Sequence, residues 1–511
     1  MLPDDSIQQR RSYMATYILA IDQGTTGTTS LVVKFSPGTE KPVEVVSRGY
    51  REFPQHFPKP GWVEHDLNEI WGSVEVSIAE ALQKAELKGE DIKAIGITNQ
   101  RETTGIWDQD GKPIHNAIVW QDRRTADFCT SLREKNLSEL FSQKTGLVLD
   151  PYFSGTKVRW LLENVEGARA RAEAGELRFG TVDTWLVWNL TAGDVHITDV
   201  TNASRTLMLD ITQGSWDEEL CSALDGIPES LLPEVRSCSE VYGKTKGLSV
   251  LPDGIPIAGI AGDQQSSLFG QACLNPGMAK CTYGTGAFAL VNIGNTFRQS
   301  QNGMLTTIAW KLGDEITYAI EGSVFIAGAI VQWLRDGLGI IESSSDVEAL
   351  ARSVEDNGGV TLVPALAGLG APHWRPEARG VIYGLTRGSN KGHIARAALE
   401  GIAFQVRDLM AAMEADSGLE INELRVDGGA TANELLMQFQ ADVLETKLLR
   451  PEVLDTTALG AAYLAALGVG ILETPADVMS AWLSEKSFEG DMSSGEVEER
   501  NQAWQTALQK A

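Results

Sequence analysis

One local pattern limits the possible folds of this chain more than any other. In ILAIDQGTTGTTSLVV, residues 18–33, four apolar positions lead into Asp22, bend through Gly24 and the hydroxyls of Thr25, Thr26, Thr28 and Thr29, and return to an apolar run. A strand that reads as buried ends in an acid, and the chain then turns straight back. KCTYGTGAFALVNIG repeats the device with Gly284, Thr285 and Gly286 between two apolar runs. Two halves that each open with a run, a glycine and threonine turn and a second run indicate a structural duplication.

The rest of the chain has an α/β pattern. β-like runs at 18–21, 29–35, 92–98 and 106–107 alternate with helical segments, the clearest carrying Ile70, Trp71, Val74, Ile78 and Leu82 on one face. IPIAGIAG leads into Asp263 and a helix, QQSSLFGQA. YAIEGSVFIAGAIVQWLRDGL reads as strand then helix. An amphipathic helix follows with Leu399, Ile402, Val406, Leu409, Met410 and Met413 on its apolar side. RVDGGATANELLMQFQADVL reads as strand, glycine turn and helix. A length of 511 residues exceeds what one core supports, so two large domains with a cleft between them are expected. The expected division is a disordered extension at 1–15, domains at 16–270 and 271–483, and an acidic, peripheral polar tail at 484–511.

Composition removes several function classes. The formal net charge of -26 argues against nucleic acid as a partner. No apolar stretch approaches twenty residues, so no membrane span is expected. The first dozen residues lack the apolar centre of a signal peptide, and a cytoplasmic location follows as an expectation. Five cysteines without C-x-x-C spacing suggest neither a disulfide framework nor a zinc site. An anionic small substrate would need a local arginine, an amide nest or a divalent cation.

Three glycine turns and two charged positions carry the candidate chemistry. The first turn suits a plain hairpin. It equally suits a phosphate turn in which Gly24 lets the backbone approach, Thr25 and Thr26 face phosphate oxygens, and Asp22 engages hydrated magnesium. The turn at 284–286 has the same two readings. Gly428 and Gly429 end a strand before a helix starting near Asn433, which is either an ordinary strand exit or a nucleotide contact. Asp263 is either a helix cap or a general base. Arg101 and Glu102 are either a surface pair or two hydrogen-bonding arms for a polyhydroxy substrate.

The motifs DQGTT, GITNQRETT, NAIVWQDRR, DPYFSGTK, GTVDTWL, TNASRT, GIAGDQQ, YGTGAF, GLGAP, GLTRG, RVDGGA and TALGAAYLA occur in one order from about Tyr17 to about Asn501. In this the chain resembles the FGGY family of carbohydrate kinases, and within it the members that phosphorylate glycerol. The resemblance implies the two-domain ATPase fold of actin and hexokinase, which is ribonuclease H-like, with a cleft between duplicated domains. It implies ATP-dependent phosphorylation of glycerol to sn-glycerol 3-phosphate in glycerol catabolism, with Asp263 as the base. Glycerol would be held by Arg101, Glu102, Tyr152, Asp263 and Gln264, with Trp120 and Phe288 as apolar walls. ATP or ADP would contact Thr25, Thr26, Gly27, Thr285, Gly328, Gln332, Gly429 and Asn433, and Mg2+ would sit near Asp22. A homo-oligomer, dimer or tetramer, is expected.

Two departures stand out. Many family members read DQGTTSSR, with an arginine reaching the nucleotide phosphates; here Thr29 takes that place, and the arginine contact is expected to be absent. A Gly-Gly-Lys-Gly-Gly loop that binds fructose 1,6-bisphosphate in some members is replaced by GKTKGLSVLPDG, residues 243–254. The rival readings are a kinase for another polyol or ketose such as xylulose, and a nucleotide-driven switch using the same fold.

Overall fold

The computed structural model describes residues 15–511, so residues 1–14 of the expected extension lie outside the described residues. The elements that build the first half are β1 (Thr16–Gln23), β2 (Gly27–Phe35), β3 (Val43–Glu52), α1 (Leu67–Ala85), β4 (Ile92–Asn99), β5 (Ser239–Lys244), β6 (Pro256–Gly262) and α2 (Asp263–Gly270). Among the described residues their strands form a six-stranded sheet in the order β5, β6, β4, β1, β2, β3. β1, β2 and β3 are successively antiparallel, whereas β4 runs parallel to β1 and β6 parallel to β4.

Side-chain alternation explains why β1 reads as continuously apolar. Ile18 and Ala20 face one core, while Leu19 and Ile21 face another shared with Ile70, Val74 and Ile78 of α1. A central strand covered on both faces has no solvent side to make polar.

The second half contains β7 (Ala279–Tyr283), β8 (Ala287–Gly294), β9 (Leu305–Leu312), β10 (Glu315–Val324), α3 (Gly328–Asp336), α4 (Lys391–Ser417), β11 (Glu423–Asp427), α5 (Glu434–Leu444), β12 (Lys447–Pro451), α6 (Thr456–Gly468), β13 (Ser484–Phe488) and α7 (Ser494–Leu508). Its sheet runs β9, β10, β8, β7, β11, β12, β13. β7, β8 and β10 are successively antiparallel, and β11 and β12 follow in parallel. This is the pairing scheme of the first sheet, so the duplication extends from the turn to the whole sheet.

Two segments pack otherwise than the expected division implies. Helix α6 falls in the expected second domain, but it packs on α2 and on β1, β4 and β6 of the first sheet. Small residues permit this approach: a Cβ on Gly270 would lie 1.9 Å from the Thr456 carbonyl, and one on Gly460 1.9 Å from the Ser266 carbonyl. The tail is not peripheral either. β13 pairs antiparallel with β12. On α7, Val497, Trp504, Ala507 and Leu508 form a buried stripe, and the Trp504 indole stacks on Phe404 and donates to Asp408 Oδ2 at 2.8 Å. The acidic residues of the segment are exposed, three of them before α7 and Glu496, Glu498 and Glu499 off its buried stripe, so composition does not reveal the packing.

Candidate active site

Register brings the site together. Gln23, Asn99 and Gly262 are paired neighbours on three parallel strands. The first turn, Arg101 with Glu102, and Asp263 therefore leave the sheet at one edge, the carboxyl ends of parallel strands where α/β folds bind ligands. In the second sheet Thr282 pairs with Asp427, so the second turn and Gly428 leave that sheet together.

The first turn has its carbonyls tied back. The Gly24 carbonyl accepts from Gln23 Nε2 at 2.8 Å and Gln100 Nε2 at 3.2 Å, and the Thr25 carbonyl accepts from Gln55 Nε2 at 2.9 Å. Gln55 is in turn held by His65 at 2.6 Å, whose imidazole burial keeps neutral by lowering its pKa to about 3. The second turn is built alike by different means. Gly284 and Thr285 give their carbonyls to amides at the start of α3: Gly328 N donates to Gly284 O at 2.9 Å, and Ala329 N to Thr285 O at 3.1 Å. With acceptors withdrawn, a turn offers donors, as an anion requires. Thr26 and Thr285 are exposed, and Thr25 is half-buried.

A quartet of charges lies behind the first turn. Arg101 makes a bidentate pair with Glu321, at 2.6 and 2.8 Å. Arg205 donates from Nε to Glu102 at 2.7 Å and from Nη2 to Glu321 at 3.2 Å. All four side chains are at most 4% exposed. Burial works against the charge on Glu321, yet Arg101 and Arg205 hold its carboxyl down at about 2. Glu102 has a left-handed backbone at φ 60°, an unfavourable conformation for a non-glycine residue. Its carbonyl is fixed by Ser154 Oγ and Thr104 Oγ1, each at 3.0 Å, and by Lys157 Nζ at 3.3 Å. These bonds aim a side chain that a relaxed backbone would direct elsewhere. The surface-pair reading of Arg101 and Glu102 is therefore excluded.

Asp263 is not a helix cap: Gly262 occupies the cap position of α2 and Asp263 is its first helical residue. Its carboxylate lies 3.1 Å from Arg101 Nε and accepts the Gln264 amide at 2.7 Å. Burial raises its proton affinity, and Arg101, the Gln264 amide and Lys280 partly oppose this. Lys280 Nζ donates to Gln264 Oε1 at 2.5 Å.

Tyr152 is half-buried, with the Arg205 guanidinium 5.7 Å over its ring. Trp120 does more than form an apolar wall: its ring meets Tyr152 edge-on at 5.7 Å, and its indole N–H donates to Thr25 Oγ1 at 3.0 Å. It thereby joins the proposed substrate pocket to the first turn. Phe288 stands opposite Thr282 and Ser323 beside the second turn. Gln332 is exposed on α3. Gly428 has φ 91° and passes so close to β7 that a Cβ would lie 2.5 Å from the Tyr283 carbonyl, whereas a Cβ on Gly429 would meet open space. Asn433 caps α5, its Oδ1 accepting Leu436 N at 2.9 Å, which leaves its Nδ2 edge for a ligand. Gly27 is buried in the hairpin, with Tyr50 Oη 2.8 Å from where a Cβ would stand.

Thr29 has an arginine neighbour from another strand. Arg48, on the adjacent β3, donates to Thr29 Oγ1 at 3.5 Å and lies 3.4 Å from Asp455. Asp22 stands near this pair. Its pKa is raised to about 7, first by burial, then by Asp263 and Asp455, with Arg48 opposing. A cation is what such a group lacks. Among the described residues no cluster of three His, Cys, Asp or Glu side chains encloses a bare ion. One carboxylate instead suits a hydrated Mg2+ whose other ligands are water and phosphate.

Glu321, Arg205 and Lys280 were not identified from sequence. Each is a charge inside an apolar or small-residue segment, YAIEGSVF, TNASRT and MAKCTY, the same signal that marked Asp22.

The chain is similar to known proteins over nearly its whole length. The family models for the N-terminal and C-terminal domains of the FGGY family of carbohydrate kinases match residues 17–270 and 279–469. Glycerol kinase of Myxococcus xanthus is 56% identical over 500 residues, 97% of this chain and 99% of that protein. Glycerol kinase of Deinococcus radiodurans is 59% identical over 497 residues, 97% of each. The crystal structure of Plasmodium falciparum glycerol kinase with ADP superposes with a TM-score of 0.90 at 38% identity, covering 97% of this chain and 98% of that one.

Proposed function

Because the chain belongs to the FGGY family of carbohydrate kinases, we propose that it transfers the γ-phosphoryl group of ATP to a terminal hydroxyl of glycerol, giving sn-glycerol 3-phosphate. The observation that carries this reading is the convergence of Asp263, Arg101 and Glu102 at the edge where the first turn leaves its sheet. Phosphoryl transfer needs positioning and charge neutralisation more than covalent chemistry, and this edge supplies both.

In the proposed reaction Arg101, Glu102, Tyr152 and Gln264 hold the glycerol hydroxyls. Asp263 accepts the proton of the attacking hydroxyl as the oxygen adds to the γ-phosphorus and the bond to ADP breaks. A carboxylate with raised proton affinity is a better base than an ordinary one. The amides and hydroxyls of Thr25, Thr26 and Thr285 receive phosphate oxygens, and Gly328, Gln332, Gly429 and Asn433 line the nucleotide. Bound Mg2+, near Asp22, would neutralise phosphate charge. The enzyme would work in the cytoplasm as a dimer or tetramer.

A coupled assay of ADP release with glycerol, dihydroxyacetone, xylulose and no acceptor tests the reading. A site of charged hydrogen-bonding groups penalises ligands that leave them unpaired. Glycerol is therefore expected to give by far the highest kcat/KM. Comparable values for xylulose, or equal ATP turnover without acceptor, would overturn it.

A further inference from the structure

Lys280 is the second residue of β7 and has no solvent exposure. Among the described residues no carboxylate oxygen lies within 4.0 Å of its ammonium. Its hydrogen bonds go to two neutral acceptors, Gln264 Oε1 at 2.5 Å and Thr282 Oγ1 at 3.0 Å. A buried cation without an ion-pair partner is costly. Stability alone does not account for a lysine here, since an apolar side chain of similar length would fill the same space without that cost.

Its surroundings suggest what it does. Burial lowers its proton affinity, and the nearby negative charges of Asp427, Asp263 and Glu321 oppose the loss. Gln264 and Asp263 open α2 on one side of the cleft, and Lys280 reaches them from the first strand of the other sheet. By occupying Gln264 Oε1, the ammonium leaves the Nε2 hydrogens as the free edge of that amide. A glutamine beside a polyol is ambiguous, because either edge can bind a hydroxyl. Here Lys280 removes the ambiguity.

We propose that Lys280 is a positioning residue of the transfer site: it orients the Gln264 side-chain amide so that its Nε2 donates to a substrate hydroxyl. This rests on the proposed kinase reading.

The test compares wild type with Lys280→Met and Lys280→Gln in the coupled ADP assay, with glycerol and ATP varied separately. For Lys280→Met we expect a glycerol KM raised roughly 10-fold and an ATP KM unchanged within about twofold. Its melting temperature should equal or exceed that of wild type, which a merely structural lysine would not give. Lys280→Gln keeps a donor for Gln264 Oε1, so it should restore most of the glycerol KM. If Lys280→Met does not fold, the idea has lost its stability argument and is overturned. A folded Met variant with a wild-type glycerol KM overturns it as well. Failure of wild type to phosphorylate glycerol would instead refute the kinase reading.

Discussion

Glu321→Gln is the most informative single substitution in the quartet of buried charges. Arg101 and Arg205 balance Glu102 and Glu321, and all four are almost completely enclosed. The substitution preserves shape but leaves a buried positive charge without compensation. The carboxyl of Glu321 lies at about 2 against an ordinary 4.5, which corresponds to about 3 kcal/mol of stabilisation at neutral pH. Breaking a buried pair by removing one partner typically costs about 3–5 kcal/mol, so two independent arguments give the same size. The sign follows from the depressed pKa. The contribution is complete above about pH 4.5 and is lost as the pH falls towards about 2. The acid sensitivity of wild type in that window should therefore be weaker in the variant. Function should suffer as well, because Glu321 holds both nitrogens with which Arg101 is fixed beside Asp263. Loss of one well-placed charge-assisted contact to glycerol would raise KM roughly 10- to 150-fold. Urea unfolding followed by tryptophan fluorescence at neutral and acid pH, with glycerol kinetics on the same samples, measures both effects. A variant with an unchanged midpoint and a glycerol KM within about twofold of wild type would refute the argument.

Asp263→Asn keeps the size of the side chain and removes the base, so turnover should fall roughly 10²- to 10⁴-fold while ADP still binds; near-normal turnover would show that another group takes the proton. Trp504→Ala should destabilise the second half by about 3–5 kcal/mol, because it opens a cavity against Phe404 and leaves Asp408 without its indole donor; calorimetry showing a melting curve like that of wild type would restore the peripheral tail. Fructose 1,6-bisphosphate should neither inhibit nor change the association state, since the loop at 243–254 has no free anion nest. Asp253 already accepts the Gly247 amide at 2.7 Å and Asp194 pairs with Lys246 at 2.6 Å; saturable inhibition in initial-rate assays would contradict this.

Local chemistry made much of the site legible in advance. Asp22, the hydroxyls that follow it and the glycines at 284, 286, 428 and 429 stand out because an acid or a turn residue inside an apolar run conflicts with its own neighbours. Such a conflict is visible within a few positions. The duplication was equally readable, because both halves repeat the same short device.

Other features depend on pairing over long distances in the chain. Arg101 and Glu321 are separated by 220 residues, and nothing near either one indicates the other. The interdomain position of α6 follows from backbone contact at Gly270 and Gly460, where two helices meet on surfaces too small to leave an amphipathic pattern. The place of α7 depends on a short buried stripe around Trp504 in a segment whose composition is otherwise that of a surface. Arg48 and Thr29 likewise meet only because β2 and β3 lie side by side, with Arg48 paired to Leu31 two residues away. By itself the sequence marked the turns, the duplicated plan and the residues proposed to hold phosphate or accept a proton. Only the tertiary structure decided which buried charges neutralise one another, because that energy exists only after distant parts of the chain have excluded water between them.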